Sequence, residues 1–216
     1  PQGDASNTYG INNERGLTNL LENHITAGGK YSTRDVIRKT RYPNIDVVPA
    51  DGYLTCTAFN LSNISGPEQI FRFKTAIEEV RKDYDYCICD CGRLLDTVVL
   101  NILVVADLVV SPIKAGGFEV SAVENLSMQI ADIRGFNRNI EAKLLLNMAR
   151  NTLAFLGMEA WVKEKSGLDY FDTNIKQSTV IEQAALKQIP LPEHDGKADV
   201  TVSYRKVVEE IIREVG

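Results

Sequence analysis

The spacing of apolar residues along this chain predicts strands and helices in alternation. Short runs that are apolar at nearly every position predict strands at 45–49, 84–89, 108–113 and 140–148, with a weaker strand at 168–174. Longer stretches, most with apolar residues every three or four positions, predict helices at 68–80, 96–105, 120–133, 153–165, 179–187 and 203–215. From residue 45 onward, strand and helix therefore follow one another in turn.

The strands at 85–90, 108–113 and 141–147 carry few polar residues on either face. Strands that are apolar on both faces are typical of a parallel sheet with helices packed on each side. We therefore expect an α/β fold with a three-layer, mostly parallel sheet. The chain shows no repeats or low-complexity tracts, so one domain over residues 1–216 is sufficient.

Composition narrows the class of protein. Of 216 residues, 44% are apolar and 25% are charged, as in ordinary globular proteins. No stretch approaches the roughly 18 uninterrupted apolar residues of a membrane-spanning helix. The 24 basic residues are outnumbered by 29 acidic ones, for a net charge of -5. This balance argues against a protein that coats nucleic acid through bulk charge, although it allows a local basic patch.

The cysteines cluster, since Cys87, Cys89 and Cys91 alternate along the chain. On a strand they share one face, with Cβ atoms too far apart for an easy disulfide. A metal cluster would need C-x-x-C spacing and further ligands, and the only histidines are His24 and His194. We therefore expect small, buried, apolar side chains in a reducing cytosol.

Candidate chemistry lies at the carboxyl ends of the predicted strands, where open parallel sheets bind their ligands. The polar residues there are Asp90, Ser111, Lys114, Asn147 and Arg150. Asp90 ends an apolar run and is followed by Gly92, an arrangement typical of Walker B sites, whose carboxylate faces a hydrated Mg²⁺. Structural explanations are also open: a helix cap for Asp90, a turn residue for Asn147 and a solvated cation for Arg150.

Short segments along the chain occur in a characteristic order. They are 1–6 (PQGDAS), 42–50 (YPNIDVVPA), 84–91 (YDYCICDC), 101–107 (NILVVAD), Pro112 with 118–126 (FEVSAVENL), and 146–148 (LNM). In this order they resemble the ParA/Soj/MinD family of deviant-Walker P-loop ATPases, most closely its ParA branch, which partitions plasmids and chromosomes. The resemblance extends along nearly the whole chain.

The resemblance implies a P-loop NTPase-like fold with ATP and Mg²⁺ as cofactors. It implies a homodimer formed on ATP binding, nonspecific DNA binding, and a ParB-like partner that stimulates ATP hydrolysis. It also implies a cytoplasmic, nucleoid-associated bacterial protein that does not bind membranes. The identity of the cargo, whether plasmid, chromosome or another structure, stays open.

The resemblance also assigns roles to individual residues. Those implied for magnesium and the switch loop are Asp90, which would hold Mg²⁺ through water, Gly92 and Arg93. Those implied for the adenine base are Asn147 and Pro190. The cations implied to face DNA are Arg150, Lys176 and Lys187.

The sequence departs from the family in two places. The signature loop K-G-G-x-G-K-T does not occur in these residues, and Gly28-Gly29-Lys30 is only a superficial echo of it. We expect the N-terminal strand–loop–helix–strand unit, and the switch aspartate that ends it, to lie just before Pro1. The family's D-C-P-P is replaced by D-C-G-R at 90–93. Because that loop supplies most of the phosphate binding, we expect this chain alone to bind ATP weakly and to be inactive as an ATPase.

Two other functions fit the same residues. A ParA-like pseudo-ATPase or adaptor would keep the fold for protein contacts, which the missing loop and the altered switch favour. A MinD-like membrane-cycling ATPase would end in a basic amphipathic helix, whereas 207–216 is rich in glutamate. The ParA-type ATPase is the leading hypothesis.

Overall fold

A computed structural model describes residues 4–11, 15–23, 31–92, 95–114 and 119–216. The chain divides into two compact units, Pro1–Val105 and Ala106–Gly216. No helix in the described ranges is both long enough and apolar enough to cross a lipid bilayer.

The first unit is mostly helical. Its helices are α1 (Asp4–Thr8), α2 (Leu17–Leu21), α3 (Thr33–Val36), α4 (Leu54–Ser62), α5 (Arg72–Glu78) and α6 (Thr97–Leu103), with 3₁₀ turns at Pro67–Ile70 and Arg81–Asp83. Its strands, β1 (Arg38–Lys39) and β2 (Asp46–Val47), form a short antiparallel pair. The predicted strand at 45–49 is thus reduced to β2, and it is not part of a parallel sheet.

A buried amide organises the core of this unit. Asn101 on α6 is fully buried, and its side-chain oxygen accepts the N–H of Phe73 at 3.1 Å. Its amide nitrogen donates to the carbonyls of Thr97 at 2.8 Å and Gln69 at 2.7 Å. Because Asn101 takes the N–H of Phe73, the predicted helix at 68–80 is divided between a 3₁₀ turn and α5. Apolar side chains from α2, α4, α5 and α6 pack beside it: Leu21, Leu54, Ala58, Leu61, Phe73 and Val98.

The predicted strand at 84–89 is wrong for the part of the chain that the structure describes. Tyr84 has extended dihedrals, and its hydroxyl donates to Asp46 Oδ2 at 2.5 Å, yet 84–92 pairs with no described strand. Ile88 is 93% exposed. A strand forms only where neighbouring backbone satisfies its N–H and C=O groups, and without such a neighbour this apolar run stays outside the core.

The second unit contains the parallel sheet. Its strands are β3 (Leu108–Ile113), β4 (Glu141–Leu146) and β5 (Asp169–Tyr170), in the order β3-β4-β5. Leu108 pairs with Glu141 at one end of the β3–β4 ladder and Ile113 with Leu146 at the other. Its helices are α7 (Glu119–Ile133), α8 (Leu153–Lys165), α9 (Thr179–Leu186), α10 (Leu191–His194) and α11 (Asp199–Val215).

The two faces of β4 are buried by different helices. Leu144 and Leu146 pack in one cluster with residues of α7 and α8, whereas Leu145 packs in another with Val200 and Val207 of α11. Successive side chains of a strand point to opposite faces, so helices cover this strand on both sides. The apolar pattern that predicted a parallel sheet is explained here by burial on both faces.

Candidate functional site

Asp90 lies at the end of the extended 84–90 segment in the first unit. Its side chain is exposed, and within the described ranges no hydrogen bond or ion pair engages its carboxylate. Burial, with the nearby charges of Asp90 and Asp96, raises the pKa of the Cys91 thiol. A single exposed carboxylate fits Mg²⁺, which usually keeps several of its waters and takes only one or two protein carboxylates. Described residues offer no cluster of three or more potential ligands for a dehydrated metal ion.

The switch residues after Asp90 are only partly described. Gly92 is exposed, and a Cβ at this position would meet no atom within 4 Å, so nothing in the described structure requires glycine here. Arg93 lies outside the described residues. The cysteines of this segment differ from expectation, because Cys87 and Cys91 are exposed and Cys89 is only partly buried.

Asn147 follows β4 in the second unit and makes a turn. Its N–H donates to the carbonyl of Ile113 at 2.7 Å, which continues the β3–β4 ladder by one bond. Its side-chain oxygen accepts the N–H of Met148 at 2.8 Å, and Met148 has a positive φ of 53°. The structure thus gives Asn147 the turn role. Its amide nitrogen makes no hydrogen bond among the described residues, so it is available to an acceptor such as a purine nitrogen.

Pro190 is the N-terminal cap of α10, at some distance along the chain from Asn147. Its carbonyl accepts the N–H groups of Glu193 and His194 at 3.0 and 3.1 Å. Between the described residues, no hydrogen bond joins this turn to the turn at Asn147. The structure therefore shows a local backbone role for each residue.

Two of the cations that the sequence assigned to DNA, Arg150 and Lys176, lie on neighbouring stretches of backbone. Ala149 and Lys176 form an isolated parallel bridge, in which the N–H of Ala149 donates to the carbonyl of Ile175 at 2.9 Å. The N–H of Gln177 in turn donates to the carbonyl of Ala149 at 3.2 Å. Arg150 Nε donates to the side-chain oxygen of Gln177. This bridge holds Arg150 and Lys176 on adjacent strands of backbone, and no ion pair to either is found among the described residues.

Both cations stand two residues before the cap of a helix. Thr152 caps α8, its hydroxyl accepting the N–H of Phe155 at 3.2 Å, and Ser178 caps α9 through the N–H of Val180 at 3.2 Å. Helix N-termini carry a partial positive charge, so each of the two cations adds to the positive end of a helix, where anions are favoured. A Ser or Thr before an apolar run is a sequence signal that would have found both caps.

Lys187 is placed elsewhere. It is the C-terminal cap of α9, at the opposite end of that helix from Lys176, and it is exposed. Gln188, which follows it, has a positive φ of 53° and donates its N–H to the carbonyl of Ala185 at 3.0 Å. Among the described residues, no hydrogen bond or bridge brings Lys187 to the other two cations.

A groove that sequence did not predict lies between α9, α10 and α11. Its volume is about 580 Å³, and its lining is mostly apolar: Ile181, Leu191, Pro192, Thr201, Tyr204, Arg205, Val208 and Glu209. Burial raises the pKa of Tyr204. None of the site residues predicted from sequence lines this groove.

Comparison with known proteins decides the family. A profile of AAA_31, described as an AAA domain, matches residues 1–143. The chain belongs to this family. The chromosome partitioning protein ParA of Caulobacter vibrioides is 27% identical over 98% of this chain and 79% of its own length. The ParA/Soj/MinD P-loop ATPase resemblance is thereby confirmed.

Solved structures agree on the fold. Cobyrinic acid a,c-diamide synthase from Mycobacterium smegmatis, with a bound ATP analogue and magnesium, is 18% identical with a TM-score of 0.80, over 99% of this chain and 79% of that one. An ATP complex of an McdA variant from Cyanothece is 20% identical with a TM-score of 0.81, over 98% of this chain and 82% of that one. These likenesses show an α/β P-loop NTPase-like fold with a parallel sheet.

Proposed function

We propose that this family member is a ParA-type partitioning ATPase, whose ATP-bound dimer holds DNA without regard to sequence. The observation that carries the proposal is the position of Arg150 and Lys176, the basic pair, on neighbouring stretches of backbone and each two residues before the N-terminal cap of α8 or α9. Phosphate contacts from cations and helix N-termini supply nonspecific DNA affinity and read no bases. A pair of this kind suits a protein that must hold any stretch of DNA, despite a net charge of -5.

The nucleotide parts of the proposal rest on Asp90 and Asn147. Mg²⁺ neutralises charge that develops on the phosphates during transfer. Asp90 would hold that ion through water, since its carboxylate is exposed and unengaged among the described residues. Gly92 and Arg93 would form the switch loop beside it. The amide nitrogen of Asn147 would hydrogen-bond the adenine, and Pro190 would pack against the base.

The 216-residue chain by itself should bind ATP weakly and hydrolyse none, because the phosphate loop K-G-G-x-G-K-T is not among its residues. Neither Asp90 nor Asn147 offers an anion cradle of backbone N–H groups. Isothermal calorimetry with Mg-ATP should detect no submillimolar affinity. Submillimolar binding would overturn this part and would locate phosphate-binding groups within these residues.

The wider assignment follows the family. We propose that residues 1–216 act as one ParA-like domain with a three-layer sheet, in a bacterial protein of the cytoplasm that associates with the nucleoid. A ParB-like protein would be the partner that stimulates hydrolysis. If the chain captures protein partners but neither nucleotide nor DNA, the pseudo-ATPase or adaptor function replaces this one.

The test of DNA binding compares the effects of removing cations at different positions of the second unit. Fluorescence anisotropy of a labelled duplex, titrated with the nucleotide-free 216-residue chain at several salt concentrations, measures the DNA affinity that each subunit contributes without ATP-driven dimerisation, and the salt dependence of that affinity. The double variant Arg150→Gln, Lys176→Gln should weaken binding several-fold and reduce the slope of log K against log salt by about 2, near 0.9 for each lost phosphate contact.

The matched control is Lys165→Gln. Lys165 is exposed on the last turn of α8, a helix of 13 residues, so it lies roughly 20 Å from the N-terminus beside Arg150. Its loss should leave the slope within about half a unit of the unmodified chain. If the double variant and the control behave alike, the basic pair does not hold DNA and the proposal fails.

A further inference from the structure

Two thiols in the 84–92 segment lie in contact. Cys87 Sγ and Cys89 Sγ are 4.0 Å apart, on residues whose side chains share one face of the extended chain. Cys87 is exposed, while Cys89 is partly buried against the core cluster of α2, α4, α5 and α6. Ile88, between them, points away and is 93% exposed. Neither thiol belongs to the nucleotide or DNA residues described above.

The backbone here has room to adapt. A disulfide needs Cα atoms about 4.4–6.8 Å apart, and in a fully extended strand residues i and i+2 are separated by about 6.6 Å, close to the upper limit. A strand fixed in a ladder resists the contraction that would bring two such sulfurs together. Among the described residues, 84–92 pairs with no strand, so the segment can bend without losing ladder hydrogen bonds.

The thiol of Cys87 is suited to attack. The hydrogen bond from the Cys89 thiol lowers the pKa of Cys87 to about 7. A lowered pKa increases the fraction of Cys87 that is thiolate at neutral pH, and the thiolate is the form of cysteine that attacks. The best attacking thiols have a pKa near the ambient pH, because a still lower pKa reduces nucleophilicity.

We propose that Cys87 and Cys89 form a thiol-modification site that reacts with low-molecular-weight disulfides and closes to an intramolecular disulfide. In the first step the Cys87 thiolate attacks one sulfur of the small disulfide, whose S–S bond breaks and releases one small thiolate. In the second step Cys89 gives its proton to that first small thiolate and attacks the Cys87 sulfur, the bond from Cys87 to the small sulfur breaks, and the second small thiolate leaves and takes a proton from water. The two cysteines lose two electrons, and the small disulfide gains them.

This inference goes beyond the proposed function, because its chemistry requires neither nucleotide nor DNA. It has a structural consequence for the next residue, Asp90. A disulfide that contracts 87–89 would prevent these residues from adopting a regular strand. The carboxylate that follows would then be held in a different position in the oxidised and reduced chains.

The test measures which covalent bonds form at the cysteine sulfurs. The reduced full chain is treated with an excess of oxidised glutathione, quenched with acid, and followed by intact mass and peptide mapping. We expect a species that has lost two hydrogen atoms, retains no glutathione and carries its bond between Cys87 and Cys89. Cys87 should react roughly fivefold faster than an ordinary exposed thiol, after its higher thiolate fraction is offset by its lower nucleophilicity.

Two variants separate the steps. Cys89→Ser should trap one glutathione on Cys87, because the resolving thiol is gone, and Cys87→Ser should abolish the fast reaction. Cys56, exposed on α4 and without a sulfur contact among the described residues, supplies the comparison rate within the same chain. A stable Cys87–glutathione adduct in the unmodified chain, or a bond mapped to Cys91, would overturn the proposal. The mapped bond in the unmodified chain decides the matter even if a variant fails to fold.

Discussion

The strand β4 and the segment 84–90 carry similar side chains in opposite surroundings. In β4, Leu144 is fully buried, with helices on both faces of the strand and ladders on both edges. In the 84–90 segment, Ile88 is 93% exposed and no described strand lies alongside. This difference shows that an apolar run becomes buried in a core only when neighbouring backbone satisfies the hydrogen bonds of its N–H and C=O groups. Hydrophobicity alone does not place it there.

Of the substitutions considered, the largest expected loss of stability is at Leu144, in the buried strand β4. Leu144→Ala should lower the free energy of unfolding by about 3 kcal/mol, since it removes a fully buried side chain and leaves a cavity in the second unit. Urea unfolding followed by circular dichroism measures the change. A loss below about 1 kcal/mol would mean that the clusters on β4 collapse readily around the smaller side chain.

The first unit should depend more on Asn101 than on its 84–90 segment. Asn101→Ala should cost about 2 kcal/mol, because the buried N–H of Phe73 and two carbonyls lose their partner. Asn60→Ala is the control, because the exposed Asn60 amide only donates to Glu22 at 3.1 Å. The control should change stability by less than about 0.5 kcal/mol. Equal costs for the two variants would contradict a central role for the Asn101 hydrogen bonds.

The one described side-chain anchor of the 84–90 segment is the hydrogen bond between Tyr84 and Asp46. Tyr84→Phe should cost about 1 kcal/mol, measured by urea unfolding. The hydrogen bond to Asp46 raises the pKa of Tyr84 to about 12 from a value of 10.0. Because the pKa is raised on folding, the stabilisation is fully present below pH 10 and is lost as the pH rises towards 12.

The same hydrogen bond has a spectroscopic readout. In an ultraviolet titration of the folded chain, late tyrosinate formation should come from Tyr84 and from Tyr204, whose pKa burial also raises, and Tyr84→Phe should remove only the Tyr84 part of that late component. If all late ionisation persists in the variant, another tyrosine is responsible, and Tyr84 is not held by Asp46 in solution.

The smallest expected change in stability is at Ile88, in the exposed 84–90 segment. Ile88→Ala should change the free energy of unfolding by less than about 0.5 kcal/mol, because a 93% exposed side chain has little contact to lose. The same urea experiment measures it beside Leu144→Ala. A cost of about 2 kcal/mol or more would show that Ile88 is covered in solution, and the contrast between the two regions would disappear.

Much of the second unit could be predicted from sequence, since its signals are local. The strand at 108–113 and the helix at 153–165 have the bounds expected from their apolar patterns. The start of α11 at Asp199 was missed by four residues. Its first turn depends on Asp195, whose carboxylate accepts the N–H groups of Lys197 and Ala198 at 3.0 Å, a loop contact that apolar spacing does not reveal.

Other differences between the predicted and the observed structure have non-local causes. The register of the bridge between Ala149 and Lys176 cannot be predicted from the sequence, so Arg150 and Lys176 could be named from the sequence but could not be placed on neighbouring stretches of backbone. The exposure of Cys87 depends on whether 84–92 finds a strand partner, which composition does not determine. The helix α4 was missed although its apolar spacing was readable, with Leu54, Ala58 and Leu61 on one face.

The ladder of β3 has a consequence for growth of the sheet. The carbonyls of Asp107 and Ile113 accept N–H groups of Glu141 and Asn147, so odd-numbered residues of β3 direct their backbone groups towards β4. Even-numbered residues direct theirs to the opposite edge, where no described strand pairs. Pro112 falls on that side and has no N–H to donate. Within β3, a strand added at that edge would find N–H donors only at Leu108 and Val110, which shortens the stretch along which a second chain could add to the sheet.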